Sequence, residues 1–154
     1  MKKETSKIPV KEFMTKSILS IESSATAKEA AKKMESFDVG SIIVLENNTP
    51  VGIVTERDFA IKMVARELNY DTKIREIMSS PIIHVASDKP VLEVATLMSK
   101  EKIRRIPVID GTDVSGIITA TDLLNIFTLC TEEDMKKIYY NFLAKIYDHN
   151  IPTL

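Results

Sequence analysis

The chain has a single cysteine, Cys130, no tryptophan, and only two histidines, His84 and His149. One cysteine excludes an internal disulfide and points to a reduced, intracellular setting. The histidines stand far apart, with no Cys, Asp or Glu partner at metal-ligand spacing, so no zinc site is expected. Cys130 lacks the accompanying histidine motif of a nucleophile. Charge of one sign is also missing: 21 Lys and Arg against 22 Asp and Glu leave a net charge of −1. No whole-protein basic field therefore exists to hold nucleic acid or an anionic membrane, and neither partner is expected. No apolar run approaches the ~20 residues that would cross a bilayer. Residues 1–7 are polar and charged rather than a signal sequence, and the expected location is cytoplasmic. Phosphate-loop, hydrolase-elbow and dinucleotide motifs are all lacking, so the expectation is a protein that is not an enzyme and requires no cofactor.

What is present is a phrase that occurs twice. Gly52-Ile53-Val54-Thr55-Glu56-Arg57-Asp58 returns as Gly116-Ile117-Ile118-Thr119-Ala120-Thr121-Asp122, a shift of 64 residues that also superimposes the flanking halves without a gap. Duplication is the simplest account. With 44% hydrophobic and 28% charged residues over 154 positions, the chain can bury a core of one domain or of two half-domains.

Each copy reads as strand, helix, strand, strand, helix. Short amphipathic turns at 10–14 and 74–78 precede strand candidates at 18–21 and 82–85, the second just behind Pro81. A helix starts near Thr26, whose spacing to Glu29 forms a capping box, with Ala27, Ala30, Ala31 and Met34 on one face. Its counterpart starts near Pro90, a good first-turn residue, with Val91, Val94, Ala95 and Met98 in the same register. Strands at 41–45 and 51–54, and at 106–109 and 115–118, are joined by turn-rich segments and form hairpins. Ile43 stands where the second copy has Pro107, so the first copy keeps an N–H that the second lacks. The predicted class is α+β: two repeated β-α-β-β-α units, residues 8–70 and 71–129, that bury their apolar faces against each other as a pseudo-two-fold pair. Residues 130–154 form a C-terminal helical extension, with Met135, Ile138, Tyr139, Phe142, Leu143, Ile146 and Tyr147 along one stripe. That stripe covers either the module's own core or an interface with another chain.

These features resemble a tandem pair of cystathionine-β-synthase (CBS) domains, often called a Bateman module, over roughly residues 8–129. The resemblance implies binding of adenosine ligands such as AMP, ADP or ATP, or S-adenosylmethionine, in clefts between the repeats. It also implies regulation of an effector, here a separate protein, and an assembly expected to be a homodimer. By family match, ribose hydroxyls fall to Asp58 and Asp122, phosphate oxygens to Thr55 and Thr119, and the adenine slot to Leu19, Val39 and Ile53 or to Ile83, Ile103 and Ile117. Thr15, Gly40 and Ser79 complete the matched positions, with Arg57, Lys102 and Arg104 as nearby cations. Both Thr-x-x-Asp pairs also fit plain helix capping, a reading that needs no ligand. Arg104-Arg105 in place of Gly40-Ser41, and Thr121 in place of Arg57, imply two unequal sites. The competing functional reading is a ligand-independent scaffold or assembly module.

Overall fold

A computed structural model describes residues 8–126, which fall into two compact units. One is the continuous stretch 18–83; the other joins 8–17 to 84–126. The compact units therefore divide the chain differently from the sequence repeat. The segment just ahead of each repeat's first strand belongs to the unit that holds the other repeat's hairpin.

In unit 18–83, β1 (Ser20–Glu22) runs parallel to β2 (Ser41–Glu46), which pairs antiparallel with β3 (Thr49–Thr55). The hairpin turn uses Asn47 and Asn48, both at positive φ, as a tight two-residue turn requires. Between β1 and β2 lies α1 (Ala27–Ser36). Thr26 caps it: its hydroxyl accepts from the Glu29 N–H at 3.2 Å, while the Glu29 carboxylate accepts from the Thr26 N–H at 2.7 Å and the Thr26 hydroxyl at 2.8 Å. Ala27, Ala30 and Met34 are buried against Ile42, Val44 and Val54, whereas Ala31 is exposed, so the apolar stripe is narrower than the spacing suggested. After β3 come α2 (Glu56–Asp58), a π-helix at Phe59–Val64, and α3 (Ile74–Ile77). Nothing in the sequence pattern announced the π-helix.

The Glu29 carboxyl is held below its ordinary range, first by the Thr26 N–H and then by the Thr26 hydroxyl. A depressed folded-state pKa stabilises above the unfolded value and ceases to do so as pH falls through the folded one. Wild type should therefore melt slightly above Glu29→Gln at neutral pH, and the gap should close on acidification below pH ~4. Paired thermal scans across that range check this.

In the second unit a 3₁₀ turn (Val10–Glu12) buries Val10 in a core with Val91, Val94, Ala95 and Met98 of α4 (Val91–Glu101), together with Ile106, Val108 and Ile118. Pro90 is the N-cap rather than a first-turn residue. β4 (Arg105–Asp110) pairs antiparallel with β5 (Asp113–Thr119), and α5 (Ala120–Asn125) follows. The strand expected at 82–85 does not form; a single parallel bridge, Val85 to Val108, remains of it. The cause is Pro107. In the first unit the Ile43 N–H donates to the Leu19 carbonyl at 2.9 Å, and proline at the matching position has no N–H to give Ile83. The apolar stripe from Met135 to Tyr147 lies outside the described residues.

Candidate functional site

Each hairpin carries its motif glycine, threonine and aspartate to one end. The first glycine matters because another segment lies against it. The Ile53 N–H donates to the Ser79 carbonyl at 3.1 Å and the Ser79 N–H to the Ile53 carbonyl at 2.9 Å. A Cβ on Gly52 would come within 2.7 Å of the Met78 Sδ and 2.9 Å of the Ser79 carbonyl oxygen. The second unit repeats this: Thr15 and Ile117 exchange two bonds of 2.9 Å, and Gly116 faces Met14 and the Thr15 carbonyl. Both hairpins shift register opposite the glycine, between Val44 and Leu45 and between Val108 and Ile109.

Both aspartates reach back to their own threonine. Asp58 Oδ2 accepts from the Thr55 N–H and hydroxyl, each at 2.8 Å; Asp122 Oδ2 accepts from the same groups of Thr119, each at 2.7 Å. The capping geometry is therefore present in both copies, and it orients each carboxylate. It also takes the single hydroxyl hydrogen of each threonine, so neither hydroxyl is left to donate to a phosphate. The first N–H of each helix is occupied as well, Glu56 by the Gly40 carbonyl at 3.3 Å and Ala120 by the Arg104 carbonyl at 2.9 Å.

The matched positions gather within their units. Leu19, Val39, Gly40, Ile53, Thr55, Arg57, Asp58, Ser79 and Ile83 lie in the continuous unit. Thr15, Lys102, Ile103, Arg104, Ile117, Thr119 and Asp122 lie in the other. Leu19, Val39, Ile53, Ile83, Ile103 and Ile117 are half-buried, as apolar walls open to solvent are. Arg57, Lys102 and Arg104 are exposed. Lys102 has a backbone task, closing α4 in the left-handed conformation at φ 55°. Arg105 pairs across the sheet with Thr119, so the two arginines flank the second motif, where Gly40 and Ser41 flank the first.

Sequence reasoning missed Lys62. Its ammonium lies 2.8 Å from Asp58 Oδ1 and 2.7 Å from the Ile77 carbonyl, with Ser79 Oγ donating to the same Oδ1 at 3.3 Å. The signal was available in the four-residue spacing from Asp58. A cavity of about 380 Å³ in the second unit, around Lys11, Lys16, Ser87 and Asp110, is lined by none of the matched positions. Among the described residues no group of three His, Cys, Asp or Glu is placed to hold a metal ion, and no helix is long and apolar enough to cross a membrane.

The family model for the CBS domain matches residues 10–65 and 74–128. The chain is 38% identical over 136 residues to the uncharacterized protein MK0525 of Methanopyrus kandleri, covering 84% of this chain and 69% of the relative. It is 31% identical over 114 residues to the CBS domain-containing protein YhcV of Bacillus subtilis, covering 74% and 81%. Among solved structures, the CBS domain pair of protein MJ0100 in complex with 5′-methylthioadenosine and S-adenosyl-L-methionine aligns with a TM-score of 0.71 at 32% identity, covering 78% of this chain and 95% of that one. With two tandem family matches falling on the two halves that carry the glycine-to-aspartate phrases, the chain belongs to the CBS domain family.

Proposed function

We propose that the protein is a regulatory module that binds an adenosine ligand, AMP, ADP or ATP, and passes its occupancy to a separate effector. The observation that carries this reading is a carboxylate fixed at the end of each hairpin by two hydrogen bonds on one oxygen. A carboxylate held in advance can receive a ribose diol without first being ordered. The MJ0100 pair, 32% identical, was solved with two adenosine compounds, which favours the same ligand class here. The role is regulation rather than catalysis, in the cytoplasm, and the signal is the ligand's preference for one arrangement of the module.

A homodimer completes the reading. Ile61, Val64 and Leu68 are exposed apolar residues on and just beyond the π-helix, a surface that association would cover. Sedimentation with and without nucleotide reads the assembly.

Thermal scans with AMP, ADP, ATP, S-adenosylmethionine and 5′-methylthioadenosine test the ligand. One of them, at 100 times its dissociation constant, should stabilise the fold by about 2.7 kcal/mol. A flat response to all five would leave a ligand-independent scaffold as the function.

A further inference from the structure

We propose that the two motif aspartates are unequal receptors: Lys62 closes Asp58, and Asp122 takes the ligand, one equivalent per chain. The inference rests on the adenosine reading above and goes beyond it to the residue that decides occupancy.

An ionised carboxylate offers about four acceptor positions, two on each oxygen. At Asp58 all are taken. Oδ2 receives the Thr55 N–H and hydroxyl, and Oδ1 receives the Lys62 ammonium and the Ser79 hydroxyl. Asp58 is also 7% exposed, so a hydroxyl arriving from solvent would have to displace a charged partner. Lys62 is itself anchored by the Ile77 carbonyl at 2.7 Å and the Met78 carbonyl at 3.3 Å, so displacing it breaks more than the ion pair.

Asp122 differs on each count. Its Oδ2 carries the two Thr119 bonds, while Oδ1 receives none from a described residue. The residue four positions on is Ile126, buried in the core at 2% exposure, so the position that matches Lys62 supplies no ammonium to Asp122. Thr15, matching Ser79, meets this hairpin through its backbone and makes no bond to Asp122. Two open acceptor positions match the two donors of a vicinal diol. Arg104, exposed beside the start of α5, adds a cation, whereas the first unit's matching position is Gly40.

The test is calorimetric titration of the full chain with AMP, and with 5′-methylthioadenosine as a probe lacking phosphate. Wild type should bind one equivalent, and Asp122→Ala should weaken it by about 100-fold, the scale of two charge-assisted hydrogen bonds. Lys62→Met should bind a second equivalent. Lys62→Gln, which retains a donor for the Ile77 carbonyl without the charge, serves the same purpose should the methionine variant not fold. Two equivalents in wild type, a full equivalent kept by Asp122→Ala, or a single equivalent in both folded Lys62 variants would each overturn the inequality and leave the adenosine reading standing. Absence of binding by wild type and all variants would overturn the adenosine reading itself.

Discussion

Asp58→Ala should lower stability by about 3 kcal/mol, and Asp122→Ala by about 1 kcal/mol, although the two residues occupy the same place in the repeated phrase. Both substitutions remove the carboxylate half of a capping box, worth about 1 kcal/mol. Only the first also strands a cation. Lys62 has a side chain 24% exposed against 10% for Asp58, and loses the carboxylate at 2.8 Å while staying tied to backbone carbonyls. Breaking a fully buried pair by removing one partner costs about 3–5 kcal/mol; the partial exposure of Lys62 lowers its share to about 2 kcal/mol, which with the cap gives about 3 kcal/mol. For a chain of this size, about 2–4 °C is lost per kcal/mol, so melting temperatures should fall by roughly 6–12 °C and 2–4 °C. Equal losses in thermal scans would refute a structural difference between the two carboxylates.

Gly52→Ala should cost about 1–3 kcal/mol by overpacking, and the loss should resist rescue. The added methyl would meet a backbone oxygen, that of Ser79, at 2.9 Å, and this oxygen is held in a two-bond pairing with Ile53. Gly116→Ala meets the same kinds of atom, with the Met14 Sδ at 2.5 Å and the Thr15 oxygen at 3.0 Å, and that oxygen is likewise held in a two-bond pairing, with Ile117. Shortening the methionine should therefore recover only part of the loss, both in Gly116→Ala with Met14→Ala and in Gly52→Ala with Met78→Ala, because the backbone oxygen still blocks the added methyl. A double-mutant cycle for each pair reads the coupling directly. Full rescue in either pair would show that the Ser79 or Thr15 backbone can yield.

Much of this architecture was legible in the residues. The Thr26–Glu29 box, the Asn47-Asn48 turn, both hairpins and the buried face of α4 follow from local propensity, and local rules hold there because no distant partner opposes them. The contrast between Ile43 and Pro107 was also visible in advance, but its consequence was not. Whether one absent N–H costs a bond or a whole strand depends on the rest of the ladder, and at 82–85 the ladder is reduced to the bridge between Val85 and Val108. The use of the Thr55 and Thr119 hydroxyls was open in the sequence, since capping and ligand binding ask for the same residue types. Distances decided for capping as a present contact, and left the outer oxygen of Asp122 as the point of difference. Lys62 escaped notice because a lysine four residues beyond an aspartate on a short helix is ordinarily a solvated charge. The carboxylate of Asp58 and the nearby Ile77 carbonyl make it a tether instead.

The division of the chain into 18–83 and its split companion also bears on synthesis. The continuous unit has every strand and helix it needs once Ile83 has left the ribosome, and can close while the rest is still being made. Thr15 is translated before any of it, yet its backbone partner Ile117 follows about a hundred residues later, roughly ten seconds at common elongation rates. During that interval the segment around Thr15 waits, ungripped, for the strand that carries Ile117 to arrive.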